Sequence, residues 1–514
     1  MRAEKKTAYR LCFWCFLALG LGVRLWRFGV VPGGLNQDEA FAAYEAWALL
    51  TTGRDTAGYA FPMYLTAWGS GMNALETYLM IPFIALFGLK VWAIRLPQLL
   101  IACLSLPCVY DLARRIRGDE RGLAALLLTA LCPWHVLLSR WGLESNLAPG
   151  MLLFAQYFFL RGLENRRFLP PAALCCGLGL YCYATVWPVL PLMLLMELGY
   201  GLWCRKLRAD GWSLGALLLL AVLAIPPLLF LLVNYGRLPE IRTGFFSIPK
   251  LLVLRSGEVG FAHLGANWKT LWSILWRQSD GLPWNCAGSY GLYYPMTLPF
   301  ALLGLASALR RVIRGGRAFQ GEALVLIVLT GALLLGGLVS VNVNRINILF
   351  FPLLLLAAEG ICRAGETLRL RPLLPAVAAV YLLCFAFFTH YYFGDYRQSV
   401  DLSFGAGLGE AIAAAPEEGT LVFSKEVYYP QVLFYTQTPA ERFRQTVQYR
   451  SYPAAYLSAL SFDRCVLGWE GEPPEEAAAC ILSPWADFGP FREGGWTLSR
   501  YGIYTLAIRE EHHG

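Results

Sequence analysis

The feature that most constrains this chain is an alternation of long apolar runs with short loops, every second one of them basic. Eleven runs approach the length of a bilayer crossing, near 8–26, 95–113, 121–139, 147–162, 170–186, 187–204, 212–233, 293–310, 322–341, 346–362 and 372–391. A crossing takes roughly 20 apolar residues as a helix. Lipid offers no partner to an unpaired backbone group, so the runs must be helical. The expected fold class is therefore a polytopic α-helical membrane protein. Composition agrees: 57% of the 514 residues are hydrophobic and 15% charged, against about 25% charged in an average soluble domain. This excludes an ordinary cytosolic enzyme, a disordered tail and a secreted disulfide scaffold.

Positive residues set the orientation. They gather at Arg2, Lys5, Lys6 and Arg10, then at Arg114, Arg115, Arg117 and Arg121, at Arg166 and Arg167, and at Arg205, Lys206 and Arg208. Two further groups are Arg310, Arg311, Arg314 and Arg317, and Arg363, Arg369 and Arg371. All six segments belong in the cytoplasm, and an odd number of spans leaves the C-terminus outside. The apolar run 75–89 is only 15 residues long, and counting it as a span would invert every later loop. It is placed instead at the outer interface, so that 27–94 becomes one outer loop carrying interfacial helices. A second outer loop covers 234–292, with Arg237, Arg242, Lys250 and Arg255. Arg24 and Arg27 follow the first run without a small-residue cleavage site, so that run reads as a retained span.

Charge divides the chain again. Residues 1–390 hold 34 Lys and Arg against 19 Asp and Glu, whereas 391–514 hold 9 against 16. The basic excess thus marks topology, and nothing in it points to nucleic acid. The acidic tail carries short β-like runs at 421–423, 465–467, 480–482 and 502–506. Two domains are expected: a membrane domain over 1–391 and a small extracytoplasmic α/β domain over 392–514. Cys465 and Cys480 read equally well as a disulfide and as two unpaired strand thiols.

Mapped onto this topology, the polar residues collect at the outer face. The first outer loop offers Asp38, Glu39 and Glu76, and the loop after the third span offers His135 and Arg140. Tyr183 lies at the next outer turn, Lys250 in the second outer loop, and Asn344 and Arg345 in the turn after the ninth span. Guanidinium groups beside carboxylates at a membrane boundary suit an anionic lipid head group with an acid or base nearby. Each has a plainer reading: Asp38 and Glu39 cap a helix, Arg140 snorkels, His135 is a satisfied interfacial side chain, and Glu76 suits a helix N-terminus.

Order and spacing add to this. Asp38-Glu39 after the first span, Glu76-Thr77-Tyr78 with Leu86-Phe87-Gly88, Arg95-Leu96-Pro97, and Pro133-Trp134-His135 with Ser139-Arg140 follow in sequence. Together they resemble the N-terminal half of the C-type-fold, polyprenyl-phosphate-sugar-dependent glycosyltransferases, the group of protein O-mannosyltransferases and the lipid A aminoarabinose transferase. The resemblance covers roughly 10–205, with an echo at Asn344-Arg345-Ile346-Asn347. It implies that Asp38 accepts the acceptor's proton, with Glu39 as the neighbouring acid, and that Arg140 lies near the donor phosphate. Glu76 falls near a second acidic position of the family. A proline-rich pattern common there is replaced by Asn73-Ala74-Leu75-Glu76, which leaves a divalent metal at Glu76 open. Charge and position alone nominate Lys250 and Arg345 for the donor phosphate; Arg95 belongs to the motif string.

The expected function is an inverting glycosyltransferase at the outer membrane face. It would move a hexosyl or pentosyl unit from a polyprenyl-phosphate donor to a hydroxyl of a protein, lipid or wall-glycan acceptor, with no cofactor assigned. Within the enzyme class the alternative is a ligase or polymerase of lipid-linked glycans. Outside it stand a transporter or flippase, which calls for ionisable residues at mid-bilayer, and a membrane anchor that presents the tail.

Overall fold

A computed structural model describes residues 2–66, 71–254, 259–369, 373–493 and 495–509. Arg255 and Arg371 lie outside the described residues. The chain divides into two compact units. One takes in residues 1–28, 97–228 and 255–396, and the other 29–96, 229–254 and 397–514.

The first unit is helical. Each of the eleven expected spans holds a helix, from Arg2–Leu25 and Leu96–Arg117 to Phe350–Leu368 and Leu373–Phe393. Among the described residues, five helices combine the length and apolarity that a crossing needs, by length and composition alone. The third run is broken. Its helix Asp119–Leu131 stops at Cys132, because Pro133 holds the preceding residue extended, and a short helix Pro133–Leu138 follows. The fifth is helical only over Leu169–Gly179, with a 3-10 turn at Ala184–Val186. The helices Thr297–Gly315 and Phe350–Leu368 touch backbone to backbone. A Cβ on Gly304 would overlap the carbonyl of Leu356, and one on Gly360 the carbonyl of Phe300. Small residues permit that approach where apolar surroundings supply no other drive to pack.

The second unit centres on a seven-stranded sheet. In spatial order the strands are Trp496–Tyr501, Tyr504–Arg509, Ala477–Leu482, Thr420–Ser424, Cys465–Trp469, Ala459–Phe462 and Gln448–Tyr449. Thr420–Ser424 runs parallel to both its neighbours, and the remaining pairs are antiparallel. The main core is built jointly by the tail and residues 29–96: Leu421, Phe423 and Ile481 pack with Leu433 and Phe443, and with Phe41 and Tyr44 of the helix Gln37–Thr52. The run 75–89 forms the helix Leu75–Phe87 on the same core, through Met80 and Ile84.

The two tail cysteines are unpaired. Cys465 pairs with Leu421 and faces the main core, whereas Cys480 pairs with Val422 and faces a smaller cluster with Phe491 and Trp496. Successive side chains on a strand point to opposite faces, so the sheet itself separates the two thiols.

Candidate active site

Asp38 is the second residue of the helix Gln37–Thr52. Asn36 caps that helix, its side-chain oxygen accepting from the Asp38 N–H at 2.9 Å, and Gly53 closes it in the left-handed region. An N-terminal first turn favours acidic side chains through the exposed N–H groups and the dipole. The two acids there have different surroundings. Asp38 is half-buried. Glu39 is buried, and its two carboxylate oxygens accept from Arg95 Nε (2.7 Å) and Nη2 (2.8 Å).

Arg95 also organises the loop before Asp38. Its Nη1 donates to Pro32 O and its Nη2 to Gly34 O, each at 2.8 Å. The tail completes the work: Gln431 Nε2 donates to Leu35 O at 2.6 Å, and Asp401 accepts from the Gly33 N–H at 2.9 Å. Asp401 is itself held by Arg397 at 3.0 Å. Gln431 and Asp401 were not singled out from sequence; they lie hundreds of residues from the loop they hold, and no local pattern marks them. Gln37, adjacent to Asp38, has a buried side-chain oxygen that finds no hydrogen-bond partner among the described residues.

Glu76 is buried in the first turn of Leu75–Phe87, a helix tied to Gln37–Thr52 by Thr77 Oγ1 donating to Ala42 O at 3.2 Å. Among the described residues no group of three or more His, Cys, Asp or Glu side chains is placed to hold a metal ion. Lys250 is exposed, and its N–H donates to Glu240 at 3.1 Å. The same unit holds a second acidic pair. Glu45 accepts from the Thr56 N–H at 2.8 Å and from its hydroxyl, and Asp55 accepts from the Tyr59 N–H at 2.7 Å. Burial raises both carboxyls above their ordinary range, and the Asp55 charge adds to the shift at Glu45.

The other candidates lie in the first unit. Arg140, which the resemblance placed near the donor phosphate, is buried there. Nη1 donates to Val23 O (3.1 Å) and Arg24 O (3.2 Å), and Nη2 to Trp26 O (2.8 Å) and Arg27 O (3.0 Å). These carbonyls belong to the end of Arg2–Leu25 and the residues just beyond it, where a helix leaves acceptors without partners. Arg140 therefore caps the first helix, with the ring of Phe393 5.0 Å from its guanidinium carbon. His135 is buried too, its Nδ1 accepting from Arg24 at 2.5 Å, while Arg24 also donates to Gly20 O, Ala130 O and Thr129 O. Tyr183 is half-buried where the chain extends before Ala184–Val186.

Arg345 lies half-buried on a turn fixed from several sides. Its N–H donates to Asn342 Oδ1 at 2.9 Å and its Nη1 to Ser340 O at 3.1 Å, and the Val343 N–H donates to Asp280 at 2.9 Å. Asn347 accepts from the Trp134 indole at 2.9 Å. The side-chain oxygen of Asn344 is buried and finds no hydrogen-bond partner among the described residues.

Over its whole length the chain follows solved structures of one kind. ArnT from Cupriavidus metallidurans in the apo state superposes with a TM-score of 0.60 at 14% identity, covering 99% of this chain and 98% of that one. The same protein bound to undecaprenyl phosphate gives 0.57 at 14%, covering 97% and 98%. This chain has the C-type glycosyltransferase fold. The resemblance in the residues around Asp38, Arg95 and Arg140 is thereby borne out at the level of fold, in a multi-pass membrane protein. Residues 41–230 match the family model described as dolichyl-phosphate-mannose-protein mannosyltransferase. The archaeal oligosaccharyltransferase AglB from Archaeoglobus fulgidus, in complex with an inhibitory peptide and a dolichol-phosphate, gives a TM-score of 0.49 at 12% identity, covering 99% of this chain and 75% of that one. No match was found among the curated proteins.

Proposed function

We propose that this protein is an inverting glycosyltransferase that moves a hexosyl or pentosyl unit from a polyprenyl-phosphate donor to an acceptor hydroxyl at the outer face of the membrane. The fold and the mannosyltransferase family model support the class, and the ArnT structure with undecaprenyl phosphate supports the donor chemistry. The observation that carries the mechanism is the inequality of the two first-turn acids. Glu39 is buried against Arg95, whereas Asp38 is half-buried and more open to solvent, on a helix end whose approach loop is held by Arg95, Gln431 and Asp401.

In this reading Asp38 takes the proton of the acceptor hydroxyl as its oxygen bonds to the anomeric carbon, and the bond from that carbon to the phosphate oxygen breaks. The polyprenyl phosphate leaves as an anion, so it needs cationic stabilisation more than an acid. Arg345, Lys250 and Arg140 are the candidates by charge, and Arg140 also donates to backbone carbonyls. Glu39 and Arg95 position the base. A single displacement needs no second carboxylate on the opposite face. The basic loops support a cytoplasmic N-terminus and an outer C-terminal unit.

The test is transfer of a radiolabelled sugar from a polyprenyl-phosphate donor in proteoliposomes of the full chain. Label should appear in a covalent product with wild type and not with Asp38→Asn. Donor movement across the bilayer without a covalent product would overturn the enzyme reading, and full transfer by Asp38→Asn would overturn the base.

A further inference from the structure

Away from the residues assigned to transfer, the first unit carries a cavity of about 630 Å³ that is lined by five arginines: Arg117, Arg310, Arg311, Arg314 and Arg363. One face of the helix Thr297–Gly315 supplies most of its wall. Leu303, Ala306, Ser307, Arg310, Arg311 and Arg314 recur at steps of three and one, which places them on one side of a helix with 3.6 residues per turn. The wall is apolar at one end and basic at the other, and Leu303 is 41% exposed.

Carboxylates account for only part of this charge. Arg117 and Arg311 pair with Glu322 at 3.3 and 3.2 Å, Arg311 also reaches Glu359, and Arg363 pairs with Glu366 at 3.3 Å. Arg121, behind the wall, pairs with Glu359 and Glu366. Six arginines against three glutamates leave three positive charges. Among the described residues, Arg310 and Arg314 have neither an ion pair nor a side-chain hydrogen bond, and they lie one turn apart at the cavity edge. Charges that serve only to orient a membrane protein need no cavity and no apolar wall beside them.

We propose that this cavity binds the phosphate head group of an anionic phospholipid. Arg310 and Arg314 grip the phosphate oxygens, the paired arginines supply the surrounding field, and the acyl chains lie along Leu303 and Ala306. Arginine suits the task through its planar fork of donors. The positive-inside pattern assigns this end of the unit to the cytoplasmic leaflet, where basic pockets between helices hold such head groups.

The test is a native mass-spectrometry titration of the purified full chain with phosphatidylglycerol, phosphatidylcholine or inorganic phosphate. The proteins are wild type, Arg310→Gln/Arg314→Gln, the charge-keeping Arg310→Lys/Arg314→Lys, and a control, Arg205→Gln/Arg208→Gln. Phosphatidylglycerol should bind wild type and the control alike, bind the glutamine pair roughly 30-fold more weakly, from two surface-type contributions, and recover much of its affinity in the lysine pair. Equal binding of phosphatidylcholine would overturn the proposal, as would an equal loss in the control. Displacement of the lipid by inorganic phosphate at matched concentration would overturn it in favour of a free-anion site.

Discussion

Arg95 donates to both carboxylate oxygens of Glu39, at 2.7 and 2.8 Å, and solvent reaches neither side chain. The pair lies one residue beyond Asp38 and also ties the carbonyls of Pro32 and Gly34. It is a support for the candidate base. Removing one partner of such a pair leaves an uncompensated buried charge, which costs about 3–5 kcal/mol. Arg95→Ala should therefore lower the thermal midpoint of the purified protein strongly. Arg95→Met with Glu39→Leu should recover part of the loss, because two of the four hydrogen bonds go to backbone and stay broken.

Replacing the base tests a different quantity. Asp38→Asn keeps the size of the side chain and removes a general base, whose contribution is about 10²- to 10⁴-fold in rate. Transfer should fall by at least the lower figure while the thermal midpoint stays near that of wild type. A variant that loses stability and rate together would make Asp38 a structural residue.

Arg140 should behave as a cap. Its loss leaves up to four carbonyls near the end of the first helix without that donor, at a cost of about 1–3 kcal/mol. Arg140→Ala should thus lower the thermal midpoint, while the folded fraction binds donor lipid with unchanged affinity in a titration. Weaker donor binding at unchanged stability would return Arg140 to the phosphate role.

The Glu45 and Asp55 carboxyls set a pH dependence whose sign follows from their raised pKa values. In the fold each acid holds its proton at pH values where the unfolded chain has released it. Their stabilising contribution is complete below about pH 4, the ordinary carboxylate value, and is lost as pH rises into the neutral range, with a slope of roughly 1.4 kcal/mol per pH unit for each retained proton. Asp55→Asn keeps an acceptor for the Tyr59 N–H and removes the charge facing Glu45. It should flatten the thermal midpoint between pH 5 and pH 8, measured by scanning fluorimetry, and raise it at the upper end.

Separation of Cys465 and Cys480 by the sheet gives a simpler expectation. A reductant should leave the thermal midpoint unchanged, and non-reducing electrophoresis should show no intramolecular disulfide.

Much of the fold was legible in the sequence because lipid leaves the backbone few choices. An apolar run has to be a helix, and all eleven runs hold one. The run 75–89, set at the outer interface by parity and length, is a 13-residue helix on the core of the second unit. The tail's strands showed in Leu421–Phe423, Cys465–Leu467 and Cys480–Leu482, whose apolar residues fill the centre of the sheet. Its partner in that core did not show, since nothing local says that Phe41 and Tyr44 will pack against Leu433 and Phe443. The site divides in the same way. Asp38 and Glu39 stood out as two acids after a span, but the roles proposed for them rest on Arg95, 56 residues on from Glu39. The contacts of Arg140 were not legible, because its partners are main-chain carbonyls, which every residue carries and no motif displays.

Gln431 and Asp401 hold the loop that leads into Asp38, although both belong to the tail. The tail is thus part of the scaffold of the proposed catalytic residue. Cutting the chain after its last membrane helix would disorder that residue together with any acceptor-selecting surface, and the two losses would be indistinguishable. Acceptor preference is better explored by grafting surface loops of the sheet one at a time, with Gln431 and Asp401 left in place. For the same reason, any chimera built with a protein of the same fold should exchange residues 29–96 and 397–514 together.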